Sequence, residues 1–180
     1  MSNRFIHDWE YVIKRVDSKL LLRNPGRILN IGHGKGIMDS FISRSNPKLH
    51  TIVERNPIIA QKAKDAGYDN VYVGSCLDFV KECKDNGIRY DGIYFDSYCF
   101  VENEPDWLLF TRQINDILDD NGTYCYFNGK SQHNSSLVKY LEDNMWSVRE
   151  STKYPVKMAK WIEDKQELIT TDWTSISWKK

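Results

Sequence analysis

The spacing of hydrophobic residues changes repeatedly along this chain and divides it into alternating helices and strands. Residues 6 to 22 place apolar side chains at helical spacing with charges between them, which predicts an N-terminal helix. Residues 28–31 form a short apolar run that ends at glycines, which predicts a buried strand followed by a tight turn. The further predicted elements are strands at about 50–53, 71–73, 90–96, 123–127, 146–153 and 167–178, and helices at about 36–45, 57–66, 77–84, 105–118 and 135–143.

This alternation predicts a doubly wound α/β fold: a mostly parallel seven-stranded sheet with helices on both faces and an antiparallel last strand. We expect a single domain over residues 1–180, with the helix in residues 1–24 covering a cleft. Residues 154–166 contain Pro155, several charges and Trp161, and are predicted to be an irregular insertion. Ligands of such sheets bind beyond the carboxyl ends of the strands, so the loops after the first five strands should face one cleft.

A glycine-rich loop follows the first strand. Residues 28–38 read Ile-Leu-Asn-Ile-Gly-His-Gly-Lys-Gly-Ile-Met, with glycines at 32, 34 and 36. Strand, glycine turn and helix N-terminus together are typical of a nucleotide-binding βα junction, because glycine lets the backbone turn sharply and approach a ligand closely. The spacing is Gly-x-Gly-x-Gly rather than Gly-x-Gly-x-x-Gly, and an ordinary tight turn is the alternative interpretation.

An acidic residue ends the second predicted strand. Glu54 follows Gly32 by 22 residues, close to the spacing at which such folds place the acid that holds ribose hydroxyls. A carboxylate suits this role because charged acceptors make the stronger hydrogen bonds. A helix-capping or surface glutamate is the alternative.

The composition excludes some function classes. Lys plus Arg and Asp plus Glu both number 25, and no basic tract occurs, so nucleic acid is not an expected partner. The four cysteines, at positions 76, 83, 99 and 125, lack paired metal spacing, so we expect no metal and reduced thiols in a cytoplasmic protein. No signal peptide or long apolar segment occurs, so no membrane association is expected. A monomer and a homodimer both remain open.

Several motifs together resemble one enzyme family. Residues 29–42, 90–98 (Tyr-Asp-Gly-Ile-Tyr-Phe-Asp-Ser-Tyr) and 126–129 (Tyr-Phe-Asn-Gly), with Asp8-Trp9-Glu10, are similar to the guanidino N-methyltransferases. These are class I S-adenosylmethionine-dependent enzymes that include guanidinoacetate methyltransferase and the fungal-type arginine δ-N-methyltransferases. The similarity covers about residues 6 to 130. It implies a Rossmann-like methyltransferase that uses S-adenosylmethionine, yields S-adenosylhomocysteine (SAH), and methylates a small guanidino compound or arginine.

The resemblance also implies roles for individual residues. Glu10 and Asp96 match the two carboxylates that hold the guanidino group, with Asp96 as the base, and Gly129 and Lys130 match the segment that holds the carboxylate end of the substrate. Cys76 and Leu77 stand at the adenine position, where the family usually has tryptophan and Glu or Gln. The implied cofactor contacts are Ile6, Gly32, His33, Gly34, Lys35, Gly36, Ile37, Met38, Glu54, Cys76, Leu77 and Asp96.

Other interpretations stay open at this stage. Asp96 could equally be an ordinary acidic residue of a turn. The alternative for both Glu10 and Lys130 is a charged residue on the surface. At the level of function, the alternatives are methylation of arginine in a protein, a cofactor-binding module without activity and, more remotely, aminopropyl transfer on the same fold.

Overall fold

The structure is a computed structural model. It describes the backbone of residues 4–23, 25–96, 104–127, 135–144, 147–162 and 165–179, and the side chains of residues 10–23, 25–96, 107–126 and 139–144.

One sheet organises the molecule, with strand order β3-β2-β1-β4-β5-β7-β6. The first five strands are mutually parallel, and β7 runs antiparallel to both β5 and β6. The strands are β1 (Arg27–Ile31), β2 (Leu49–Glu54), β3 (Val71–Val73), β4 (Tyr90–Phe95), β5 (Leu118–Phe127), β6 (Ser147–Ile162) and β7 (Lys165–Lys179).

A helix precedes β1, and further helices connect successive strands up to β6. They are α1 (Arg4–Leu21), α2 (Ile37–Arg44), α3 (Pro57–Asp65), α4 (Cys76–Asp85), α5 (Glu104–Gln113), which continues into a short 3-10 helix (Ile114–Asp116), and α6 (Ser135–Asp143). Local sequence explains the starts of α3 and α4. Asn56 caps α3 by accepting hydrogen bonds from the Ile58 and Ile59 amides, and Ser75 caps α4 by accepting from the Leu77 amide. Among the described residues, no helix is both long and apolar enough to cross a membrane.

Two hydrophobic clusters cover the two faces of the sheet, because successive side chains of a strand point to opposite faces. Ile28 and Tyr94 pack with α1 and α2, whereas the next residues along, Leu29 and Phe95, pack with α4 and α5. Tyr94 is fully buried, and its hydroxyl donates to Asp17 on α1 over 2.9 Å. The doubly wound α/β prediction is therefore confirmed.

Two segments differ from the expectation. Residues 119–122, predicted as a turn before the fifth strand, form a bulge inside β5: Tyr90 pairs with Leu118, and Gly92 pairs with Thr123. The predicted irregular insertion at 154–166 is instead largely strand, since β6 continues to Ile162 and pairs antiparallel with β7. Residues 163 and 164 lie outside the described residues. The proline and mixed charges misled the prediction because a strand near the edge of a sheet tolerates both.

Candidate active site

The carboxyl ends of four parallel strands meet at one edge of the sheet, as the topology requires. Backbone hydrogen bonds tie the loops that leave them. The Gly32 amide donates to the Val53 carbonyl (2.8 Å), the Gly74 amide to the Glu54 carbonyl (3.1 Å), and the Asp96 amide to the Ile31 carbonyl (2.8 Å). The loops after β1, β2, β3 and β4 therefore form one continuous rim.

The glycine loop reaches the start of α2 through left-handed backbone conformations. Gly32 has φ 93° and Gly36 has φ 71°, values that a residue with a Cβ adopts only at a cost. A Cβ on Gly36 would lie 2.9 Å from Cε1 of the His33 ring, so the loop also packs too closely there for a side chain. A Cβ on Gly34 would meet nothing within 4 Å, which leaves open space on that side of the loop.

Glu54 holds this loop from the tip of β2. Its Oε2 accepts a hydrogen bond from the His33 amide at 2.9 Å and a longer one from the Gly34 amide at 3.5 Å. Its Oε1 accepts from the Asn56 amide at 2.8 Å. Glu54 as a whole is 8% exposed. Glu54 is thus a buried link between two loops, and each oxygen keeps lone-pair capacity for a further donor.

A buried carboxylate that the sequence analysis did not single out lies beneath the loop. Asp39, on α2, is fully buried. Its carboxylate contacts His33 Nδ1 (2.7 Å), His50 Nε2 (2.8 Å) and Asn30 Nδ2 (2.9 Å). Burial by itself would raise the pKa of Asp39, but the hydrogen bonds from His33 and His50 outweigh it and hold the pKa below its ordinary value. Because an ionised carboxylate only accepts, both histidine rings donate to it.

Tyr68 and Asn30 complete this cluster. The Tyr68 ring lies edge-on to the rings of both His33 and His50, at centroid distances of 5.6 and 5.4 Å. Asn30 also donates to the Gly32 carbonyl at 3.0 Å. His33, predicted to contact the cofactor, therefore directs its ring down to Asp39 and is 6% exposed.

A second polar cluster joins α1 to the tip of β4. The Lys14 Nζ lies 2.8 Å from Glu10 Oε1 and 2.7 Å from Asp96 Oδ2. All three side chains are at most 7% exposed. Lys35, on the glycine loop, is 46% exposed and places its Nζ 3.9 Å from Glu10 Oε2. The two carboxylates expected to share one cation do so here, and that cation is Lys14.

The charges of this cluster shift its proton affinities. Burial raises the pKa of Asp96 to about 7, with a further contribution from the Glu10 charge and opposition from Lys14. Burial by itself would lower the pKa of Lys14, yet the charges of Asp96 and Glu10 outweigh it and hold the pKa above its usual range. Lys14 is therefore an ammonium at neutral pH, whereas Asp96 changes its protonation state there.

The other residues predicted to form the site differ in how far they are buried, and some lie outside the described residues. Met38 is fully buried in the cluster between α1, α2 and the sheet, so its side chain is not exposed at the rim. Ile37 is half-buried at the start of α2. Cys76 and Leu77 begin α4 at the same rim and are half-buried. Three residues lie outside what the structure describes: the side chain of Ile6 in α1, and both Gly129 and Lys130.

A cavity of about 230 Å³ occurs elsewhere, at the amino ends of β4 and β5. Leu21, Asp91, Thr123 and residues 119–121 line it. It lies at the opposite edge of the sheet from the glycine loop, where parallel sheets of this type do not place their ligand sites. The rim with Glu54 and Asp96 remains the candidate site. Among the described side chains, no group of three or more His, Cys, Asp or Glu is arranged to hold a metal ion.

Known proteins resemble the chain in sequence over about 70% of its length. No protein-family model matches the chain. Over 135 residues, 71% of the chain, it is 34% identical to protein arginine N-methyltransferase 2 of Emericella nidulans, of which it covers 31%. Over 133 residues, 68% of the chain, it is 35% identical to the protein of the same name from Saccharomyces cerevisiae, of which it covers 32%. The chain thus spans about a third of the length of these relatives.

Solved structures share the fold at low sequence identity. A SAM-dependent methyltransferase from Archaeoglobus fulgidus matches with a TM-score of 0.66 and 13% identity, over 98% of this chain and 96% of that one. SMU.776, which was solved in complex with SAH, matches with a TM-score of 0.65 and 15% identity, over 92% of this chain and 48% of that one. The chain therefore has the fold of the class I S-adenosylmethionine-dependent methyltransferases, and in sequence it is similar to the fungal protein arginine N-methyltransferase 2 proteins.

Proposed function

We propose that this chain transfers a methyl group from S-adenosylmethionine to a guanidino nitrogen of its acceptor. The observation that carries this proposal is the convergence of Glu10 and Asp96 on one cation beside the glycine loop. A guanidinium matches two carboxylates better than an ammonium does, because its planar fork offers paired N–H groups. The names of the fungal relatives support an arginine-type acceptor.

The rim fits the methyl donor. The loop at Gly32 to Gly36 lets a ligand approach the backbone, with open space at Gly34, and leads into the first-turn amides of α2. Glu54 keeps acceptor capacity for ribose hydroxyls at the tip of β2. Cys76 and Leu77, at the start of α4, would border the adenine. When bound, the donor supplies an electrophilic methyl group on a sulfonium.

The residues of the chain would then act on the acceptor. A guanidinium has a pKa above 12 and is a poor nucleophile while it holds all its protons. Glu10 would hold and orient the fork, and Asp96 would accept the proton that leaves the attacking nitrogen. The new N–C bond would form as the methyl–sulfur bond breaks, with its electron pair left on the sulfur of the departing SAH. Asp96 suits this task because its backbone is fixed at a strand tip and its pKa of about 7 lies close to neutral. Positioning of two reactants in line contributes several kcal/mol in such reactions.

Two kinds of acceptor are compatible with this chemistry. The first is a small compound with a carboxylate at its far end, in line with the expected role of Gly129 and Lys130. The second is arginine within a protein, which the name of the fungal relatives favours. A cofactor-binding module without activity is the non-enzymatic alternative.

A panel of acceptors with labelled S-adenosylmethionine separates these cases. We expect transfer to at least one of guanidinoacetate, free arginine and an arginine-containing peptide, and none to lysine, because only the guanidinium binds both carboxylates through paired N–H groups. Amidated arginine tests the carboxylate end. Transfer to lysine alone would contradict the proposal. Transfer to the peptide alone would assign the protein acceptor, and SAH binding without transfer to any compound would identify a module without activity.

Glu54→Gln should weaken SAH binding by about 1.5–3 kcal/mol, the scale for losing charge-assisted hydrogen bonds. Glutamine keeps the length of the side chain and one acceptor oxygen, so the links to the loop amides are only partly lost. Titration calorimetry measures the affinity. Glu82→Gln, on the exposed surface of α4, is the matched control and should bind SAH as the wild type does. An affinity for Glu54→Gln within twofold of the wild type would remove Glu54 from the cofactor site.

A further inference from the structure

Lys14 occupies the position that the proposed function gives to the substrate cation. Its Nζ lies within 2.8 Å of a carboxylate oxygen of both Glu10 and Asp96. These two oxygens are therefore at most about 5.5 Å apart, since Nζ contacts them at 2.8 and 2.7 Å. No space for a second cation remains between them while Lys14 is in place.

The charges of the cluster lead to the same conclusion. Glu10 and Asp96 supply two negative charges when both are ionised, and Lys14 and Lys35 supply two positive ones. A guanidinium placed beside Lys14 between the two carboxylates would bring two like charges into contact in a buried site, where like charges repel strongly. Binding of a cation between the carboxylates therefore requires a lysine to leave.

The geometry indicates which lysine leaves. Lys35 is half exposed and, at 3.9 Å, is too far from Glu10 Oε2 for a hydrogen bond, so it only brings charge near the rim. Glu10 Oε2 is buried and accepts no hydrogen bond from any described residue. Lys14 sits between the two carboxylates on a flexible four-carbon side chain, and a guanidinium in its place would donate to both of them and could satisfy Glu10 Oε2 as well.

We propose that Lys14 is an internal competitor for the acceptor site, which any cationic acceptor must displace from Glu10 and Asp96. This inference rests on the proposed function for the identity of the site, but it concerns binding and does not require transfer. An occupant that leaves the site free for 1–10% of the time weakens the apparent affinity of every cationic ligand by about 10- to 100-fold. Lys14 therefore sets the affinity threshold that an acceptor has to exceed.

The test measures the affinities of methylguanidinium and methylammonium for the full chain saturated with SAH, by calorimetry or NMR titration. Lys14→Met keeps the length of the side chain and removes its charge. Both probes should bind about 10- to 100-fold more tightly to this variant, and by the same factor, because a competitor penalises all ligands of one site equally. Lys19→Met, on the exposed face of α1, is the matched control and should match the wild type.

Lys14→Arg provides the converse test and retains the positive charge between the two buried carboxylates. An internal guanidinium should hold the two carboxylates more firmly, so both probes should bind more weakly than to the wild type. Equal affinities in Lys14→Met, the wild type and Lys14→Arg, or affinities in the reverse order, would overturn the proposal. A gain in affinity for only one of the two probes would overturn it as well. If the order holds while no variant transfers a methyl group, the proposed enzymatic function fails and the competition stands.

Discussion

Asp96→Asn should lower the turnover of methyl transfer by about 10²- to 10⁴-fold, the range observed when a general base is removed. Asparagine keeps the shape of the side chain and an acceptor for Lys14, but it cannot take a proton from the acceptor nitrogen. Single-turnover measurement with labelled S-adenosylmethionine isolates the chemical step. SAH affinity should change far less than turnover, because Asp96 acts on the acceptor side.

Asp85→Asn is the matched control, because it makes the same substitution at the exposed end of α4. It should retain wild-type turnover. Near-normal turnover of Asp96→Asn would show that another group accepts the proton. Loss of SAH binding in parallel with turnover would assign Asp96 to the cofactor instead.

The pH dependence of the wild type gives an independent check on the same residue. Burial, with the charges of Glu10 and Asp39, raises the pKa of Asp96 to about 7, and Lys14 opposes this rise. Below about pH 7 the carboxyl is protonated and cannot accept a proton, so kcat/KM should rise with pH through that value and then level off. Lys14→Met removes the opposing charge and should move this limb to higher pH. A flat profile between about pH 5.5 and 8.5 would contradict the assignment.

The elements that the sequence predicts well are those specified by local signals. The glycine turn, the proline at the start of α3 and the acid at the tip of β2 all depend on residues close together in the chain. Once the strands alternate with helices, parallel topology brings Glu54 and Asp96 to one edge without further information. The candidate site therefore follows from the sequence at the level of its loops.

Which side chains meet in the site depends on tertiary contacts, and the spacing of residues along the sequence does not specify these. From the sequence, Lys14 is one of several charged residues in α1 and has no feature that sets it apart. Its burial between Glu10 and Asp96 results from how α1 packs against the sheet. Asp39 likewise reads as a first-turn acid of α2, a common position for helix stabilisation. One feature of the sequence does indicate that Asp39 is buried. It lies between Met38 and Ile42, two residues of the core, where a charge requires buried partners.

Asp39→Ala should reduce the free energy of unfolding by about 3–5 kcal/mol, the cost of removing one member of a buried, hydrogen-bonded charged group. The substitution removes the acceptor of the buried donors on His33 and Asn30 and of the partly buried donor on His50. Urea denaturation measures the change. Asp39→Asn keeps the volume and one acceptor oxygen, so it should cost less than alanine and remain measurable if the alanine variant does not fold.

Asp65→Ala, at the exposed end of α3, is the matched control and should change stability by less than about 0.5 kcal/mol.

The pKa of Asp39 is held below its ordinary value of 3.8 in the folded chain, so its ionised form stabilises the fold above that pH. As the pH falls below 3.8, that contribution is lost, and the stability difference between the wild type and Asp39→Ala should narrow. Because His33 also belongs to the glycine loop, Asp39→Ala should weaken SAH binding as well, in contrast to the control. A loss below about 1 kcal/mol would mean that the two histidines find other partners, and that Asp39 does not hold the loop in place.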